Sequence, residues 1–192
     1  MRLQVLRAAG RIAAPWKNGG GTTSEVAAFP PGAALGEFDW RVSVAEVAAS
    51  GPFSAFPGVD RTLTVLSGDG LELRIAENDP TTLGETSAPF SFPGDVSVMA
   101  TLQRGPITDL NAMTRRGHWD HTVERLQLTE GQVLPADGLI LAFARTPVEI
   151  ATRAGPVRLE VHDAVLVDDQ PLDIWPPSGQ LADVVLIRLR PA

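Results

Sequence analysis

The sequence predicts an all-β chain built around a duplicated antiparallel barrel, and three observations lead there. Apolar residues recur with period two in segment after segment. Turn signals separate those segments, as in Ser67-Gly68-Asp69-Gly70, Pro93-Gly94-Asp95 and Ala136-Asp137-Gly138. No long stretch carries a 3.6-residue apolar stripe, so helices have little to bury.

The segments follow in order. "TTSEVAAF" reads as a strand after a glycine run. In "FDWRVSVAEV", Phe38, Trp40, Val42 and Val44 share one face, and Asp39, Arg41, Ser43 and Ala45 share the other. "RTLTVL" sets Thr62 and Thr64 against Leu63 and Val65, and "LELRI" aligns Leu71, Leu73 and Ile75. "VSVMATL", "HTVERLQL", "LILAFA", "VRLEV", "AVLVDD" and "DVVLIRL" repeat the habit. The halves also echo one another: "DGLEL" from Asp69 and "DGLIL" from Asp137 share the offset that separates Asp95 from Asp163. This divides the chain into 1–112, an N-terminal arm plus first barrel, and 113–192, a second barrel. The first 35 residues form the arm.

Bulk properties narrow the function classes. With 192 residues, 44% of them hydrophobic and 20% charged, the chain can bury a sizeable core. A net charge of -7 argues against non-specific nucleic-acid or membrane-surface binding, because both need a basic face. With no cysteine, disulfides, zinc-thiolate sites and thiol nucleophiles are absent, which fits a cytoplasmic setting. Arg2, Arg7 and Arg11 interrupt any signal-peptide core, and no apolar run reaches the roughly 18 residues of a membrane helix.

The motif that raises a question is "PWKNGGGTTSE", residues 15 to 25. A phosphate loop needs its lysine after the glycines and a helix following, but here Lys17 precedes Gly19 and a strand follows. A glycine-rich crossing alone would be a linker, yet Trp16, Lys17 and Asn18 are costly in a linker. Of the three histidines, His118 and His121 are spaced by three, which puts them on opposite faces of a strand; they could converge only near a turn, with Asp120 or His162 joining, so no metal is expected. No G-x-S-x-G elbow is present, and Glu25, Glu46 and Asp109 would serve as acid or base only in a shared cavity. What remains is a set of cations and amides: Arg41, Arg61, and Asp109, Asn111, Arg115 and Arg116 in "DLNAMTRRG". Guanidinium forks match carboxylates, so this set suits a small anion.

"WKNGGGTTSE", "FDWRVSVAEVAASGPFSAFPGVDRTLTVLSGDGLEL", "PFSFPGD" and "GPITDLNAMTRRG" together resemble the HutD/Ves family, closely over residues 1 to 118. The resemblance implies a bicupin, with two cupin-type barrels in one chain, and an association with histidine utilisation; it does not supply an enzyme activity. A metal cupin places H-x-H and a glutamate ahead of a V-L-x-G strand end. Here "VLSG" is Val65 to Gly68, Arg61 stands at the glutamate position, and no histidine occurs in "FSAFPGVD" or from Gly94 to Gly117. The comparison therefore favours an anion over a metal, with no cofactor.

The reading that follows is a metal-free bicupin binding a small anionic metabolite of histidine degradation, in a sensing or buffering role. Urocanate, formiminoglutamate and formylglutamate are the candidates. The expected binding residues are Trp16, Lys17, Asn18, Thr22, Arg41, Arg61, Asn111 and Arg115, with the arm crossing the mouth of the first barrel. One alternative is a metal-free hydrolase or isomerase with Glu25 or Asp109 as base. Another is a docking module using Trp119 or the "DIWPPSG" loop with Trp175. A homodimer is compatible with each.

Overall fold

β-branched and aromatic residues at alternate positions give strands wherever the sequence shows period two. The computed structural model describes residues 3–192; Met1 and Arg2, the latter one of the three N-terminal arginines, lie outside the described residues. The first strands are β1 (Leu3–Leu6), β2 (Ala13–Pro15), β3 (Gly21–Phe29), β4 (Trp40–Val47), β5 (Gly51–Pro52) and β6 (Val59–Ser67). β7 (Leu71–Ile75), β8 (Thr81–Leu83), β9 (Phe90–Pro93), β10 (Val98–Leu102) and β11 (Ile107–Arg115) follow. The later ones are β12 (Trp119–Leu128), β13 (Gln132–Leu134), β14 (Leu139–Ala144) and β15 (Val148–Thr152). β16 (Gly155–Leu159), β17 (Ala164–Asp168), β18 (Leu172–Trp175) and β19 (Ala182–Pro191) complete the set. No helix among the described residues is long and apolar enough to cross a membrane.

The chain forms two units. Ile12–Asp120 with Ala192 make the first; the described residues up to Arg11 with His121–Pro191 make the second. This differs from a division at 112/113, which would cut β11 before it ends at Arg115. The first 35 residues are not one arm either. β1 pairs with β17, Leu3 opposite Val167 and Leu6 opposite Ala164, and so belongs to the second unit. β2 and β3 form a hairpin in the first.

The first unit has a six-stranded sheet in the order β2-β3-β4-β11-β6-β9 and a four-stranded sheet β5-β10-β7-β8. The second has a five-stranded sheet β1-β17-β14-β19-β12 and a four-stranded sheet β13-β18-β15-β16. Set β1, β2 and β3 aside and the orders coincide, with β4-β11-β6-β9 against β12-β19-β14-β17, and β5-β10-β7-β8 against β13-β18-β15-β16. The duplication is present, but the Asp-Gly echo marks it one strand out of step. "DGLEL" enters β7, whereas "DGLIL" enters β14, whose counterpart is β6. Asp-Gly recurs because tight turns need a left-handed residue (Gly70 φ 94°, Gly138 φ 69°), and it does so at whichever turn requires one.

Each unit packs its own core. In the first, Leu63, Val65, Ile107, Val47 and Phe92 of the large sheet meet Leu71, Leu73, Val98 and Ala100 of the small one. In the second, Ile140, Ala142, Ala144, Val184 and Leu186 meet Val148, Ile150, Leu172 and Ile174. β4 is buried on both faces, Ser43 and Ala45 as well as Trp40 and Val42. The face that carries Arg41 is therefore not a solvent face.

Candidate functional site

The glycine run proves to be the tip of the β2–β3 hairpin. The Trp16 N–H donates to the Gly21 carbonyl at 2.9 Å, and the Gly19 N–H returns to the Trp16 carbonyl at 3.0 Å. Gly19 sits at φ 71°, where a side chain is strained. At Gly21 the constraint is space, since a Cβ would lie 2.2 Å from the Glu46 carbonyl oxygen. The Ala48 and Ala49 N–H groups both donate to the Gly20 carbonyl, at 2.9 and 3.2 Å, which holds the tip against the end of β4.

That seating turns Trp16 toward the core. Its Nε1 donates to Thr23 Oγ1 at 2.7 Å, and its ring meets Phe53 edge-on with centroids 6.3 Å apart. Between the hairpin tip and residues 49–53 lies a cleft of about 290 Å³. Trp16, Asn18 and Gly20 form one wall, and Ser50, Pro52 and Phe53 form the other.

Behind Phe53 sits the charge. Cross-strand pairing puts Arg61 opposite Met113 on one side and Phe92 on the other, and puts Arg41 opposite Met113 in turn. Residues paired this way share a sheet face. Alternation along β11 adds Asn111 and Asp109 to the same face, where Leu63, Val65 and Ile107 also contribute to the core. The Arg61 guanidinium lies over the rings of Phe53 and Phe92, 4.7 and 5.4 Å from their centroids. Its Nε donates to Asn111 Oδ1 at 2.8 Å, and Asn111 Nδ2 donates onward to Asp109 Oδ1 at 2.5 Å. The three residues are 7%, 2% and 0% exposed, and Asp109 Oδ2 is buried with no hydrogen-bond partner among the described residues.

Burial governs the electrostatics. Desolvation lowers the Arg61 pKa to about 10, with the Asp109 charge opposing the shift. Desolvation raises Asp109 to about 6, against the pull of Arg61 and the Asn111 hydrogen bond. Asn111 stands between the two charges, so Arg61 and Asp109 do not close on each other as a bidentate pair. An ion kept in such a place costs several kcal/mol relative to an apolar side chain, which is why buried charge of this kind points to a site.

The residues expected from sequence do not all meet. Arg61 and Asn111 are joined in the core; Trp16 and Asn18 line the cleft. Arg41 shares the inward face, across β11 from Arg61, and its Nε donates to Glu25 Oε2 at 3.1 Å. Asn18 has a second duty, since its Oδ1 accepts the Gly20 N–H at 3.0 Å. Lys17 is exposed at the hairpin tip. Thr22 lies opposite Pro15 and Glu46, out of step with Thr23. Arg115 is directed to the loop before β4, where Nε donates to the Phe38 carbonyl at 3.2 Å and Nη2 to that of Gly36. Of the two expected bases, Asp109 is in the core and Glu25 is tied to Arg41. Trp119 packs on Phe29 and Trp40, and Trp175 Nε1 donates to Glu149 at 2.7 Å.

Phe53 and Phe92 are the residues that sequence reasoning missed. They lie in turn-rich segments, "GPFSAF" and "PFSFPGD", where no periodicity sets them apart.

A family model described as HutD matches residues 8–180. The chain belongs to the HutD family. It is 33% identical over 168 residues to an uncharacterized 21.2 kDa protein of Pseudomonas putida, named for its place in the hutC 3' region, covering 87% of each chain. It is also 46% identical over 102 residues to Protein Ves of Citrobacter koseri; the match spans 53% of this chain and 52% of that protein, about half its length. Its fold is similar to that of HutD from Pseudomonas fluorescens, with TM-score 0.85 and 28% identity over all of both chains. A cupin 2 conserved barrel domain protein from Leptotrichia buccalis, 12% identical with TM-score 0.62 over 88% of each chain, shares the fold alone. The chain is thus an all-β protein of the bicupin type.

A cupin fold implies a metal, and the donors present do not fit one. Around Arg61 the inward face offers guanidinium, amide and a single buried carboxylate, and Glu25 is taken by Arg41, where a divalent ion needs a shell of imidazoles or oxygens. Among the described residues, no three His, Asp or Glu side chains gather as a ligand set. His118 Nδ1 lies 2.9 Å from Asp39 Oδ1, and His162 stacks on Phe143.

Proposed function

We propose that this HutD-family chain binds a small carboxylate without a metal at Arg61 in its first unit, in a regulatory or buffering role in histidine degradation in the cytoplasm. The observation carrying this reading is the Arg61 guanidinium, buried against Phe53 and Phe92, whose one hydrogen bond among the described residues runs from Nε to a neutral amide. A carboxylate docking on its other nitrogens would supply the two-point contact that Asp109 is kept from making. Two further features support it: the cleft reaches Phe53, and Trp16 covers the same ring. The Pseudomonas relative named for the hutC region makes histidine-pathway acids the first ligands to try.

The test is a thermal-shift titration of the full chain with urocanate, formylglutamate and formiminoglutamate. At a ligand concentration of 100 Kd, linkage gives about 2.7 kcal/mol of added stability, a shift of several degrees. Arg61→Met is expected to abolish the shift and Lys17→Ala to leave most of it. A flat response from the wild-type chain to all three acids would sink the reading.

A second reading is catalytic, and one observation favours it: a buried carboxyl raised to about 6 suits a general acid or base near neutral pH. It requires turnover of one of those acids that Asp109→Asn eliminates.

A further inference from the structure

The carboxylate reading leaves a buried carboxyl unused, and its surroundings restrict what it can do when an anion arrives. Asp109 accepts from Asn111 through Oδ1 alone, and Oδ2 has neither solvent nor donor. The neighbours on its own sheet face are Val65 and Ala45, directly opposite on β6 and β4. The four-stranded sheet presents Leu71, Leu73, Val98 and Ala100 to this core, none of them titratable. The charged groups on the shared face are therefore few. Arg61 is linked to Asp109 through Asn111, while Arg41 and Glu25 neutralise each other at 3.1 Å. Glu25 is 40% exposed, so water already serves it; Arg115, further along β11, is spent on backbone carbonyls.

Without ligand, one buried cation faces one buried anion across an amide. A carboxylate bound to Arg61 makes that two anions sharing a single guanidinium in a dry core, an arrangement in which one of them gives up its charge. Resting on the carboxylate reading, we propose that Arg61 takes its anion together with one proton, and that Asp109 Oδ2 is where the proton lands. Charge and protons balance: A⁻ and H⁺ enter from solvent, the guanidinium pairs with A⁻, and Asp109 becomes a neutral acid that keeps its Oδ1 bond to Asn111. The buried complex is then neutral. It follows that the deep point accepts one carboxylate only, and a second carboxylate on the ligand has to remain in the cleft.

Asp109 titrates near 6 before ligand arrives, which sets the pH range. Below that, the proton is already in place and the Kd is flat with pH. Above it, a proton must be taken up, and the Kd weakens by up to about tenfold per pH unit.

The experiment is titration calorimetry of the full chain with urocanate at pH 7, in two buffers of unlike ionisation enthalpy, whose difference in heat counts the protons taken up. We expect close to one proton per urocanate bound, and none for Asp109→Asn, which should still bind. A difference infrared spectrum of the wild-type chain, with and without urocanate, gives the same answer without a variant, through a new protonated-carboxyl band. Saturable binding with no proton uptake and no such band would overturn the proposal while leaving the carboxylate site intact. Uptake that persists in Asp109→Asn would overturn it by placing the proton elsewhere. If urocanate does not bind, formylglutamate and then formate replace it; failure of all three removes the carboxylate site and this proposal with it.

Discussion

The two units run their strands in the same order and fill them with opposite chemistry. In the first, β6 and β11 bring Arg61, Asn111 and Asp109 into the core. In the second, the corresponding strands β14 and β19 bring Ile140, Ala142, Ala144, Val184 and Leu186, and Arg188, opposite Ile140, is part-exposed and tied to Glu124 and Asp137. The buried carboxylates lie off that face: Asp163 takes Arg7 at 2.6 Å and the Ala8 and Glu160 N–H groups at 2.7 and 3.0 Å, and Asp183, on the other face of β19, is bound by Arg125 and Arg145. An apolar interior suffices to hold this strand order together, so the polar interior of the first unit is not required by the architecture. The difference separates what the fold needs from what the proposed ligand site would use.

The most damaging exchange gives the second unit the charge of the first. Ile140→Arg puts a guanidinium among the apolar side chains of the second core, directly opposite the cation Arg188, and should cost about 5 kcal/mol, enough to leave little folded chain. Recovery of soluble, folded Ile140→Arg protein, judged by circular dichroism, would mean that the second core is more accommodating than its packing indicates.

Next in size is a pH effect confined to the first unit. The Asp109 pKa is higher in the folded chain than its ordinary 3.8, so the native state holds the proton more tightly. Its stabilising contribution is present in full below about pH 4 and is lost as pH rises through about 6, by up to about 3 kcal/mol. Asp95 and Asp163 are shifted downward and act in the opposite direction. Comparing urea unfolding of the wild type with that of Asp109→Asn at pH 4 and pH 7 isolates the Asp109 part. Equal differences at the two pH values would contradict it.

The smallest effect is the reverse exchange. Arg61→Met with Asn111→Leu and Asp109→Val gives the first unit an interior like that of the second, and should stabilise it by about 2 kcal/mol while removing the proposed carboxylate site. Marked destabilisation in urea would show that the polar trio also holds the first core together.

The sequence made the strands legible and the site only partly so. Period two located β7 and β12, which alternate in burial, and also β4, β6, β14 and β19, which are buried on both faces, so that there the pattern did not tell inside from outside. It also picked Arg61 and Asn111 as polar residues among apolar ones. It grouped Arg115 with them, although alternation along β11 carries that side chain to the strand end, where the Phe38 and Gly36 carbonyls occupy it. Phe53, Phe92 and the part played by Asp109 depend on which strands become neighbours. β6 lies between β11 and β9, and no local pattern announces that order.

β1 also matters while the chain is being made. Its partner, β17, is translated near the other end of the chain, whereas every strand of the first unit finds its neighbours within Gly21–Arg115 or the short β2 before it. On a ribosome moving at about 5–20 residues per second, the first unit can close while the second is still being synthesised. Residues 3–6 must meanwhile wait as an unpaired strand edge. A chain stopped once the residues up to Asp120 have left the ribosome would hold the strands of the proposed carboxylate site and an unpaired strand at residues 3–6, the segment a chaperone would be expected to cover first.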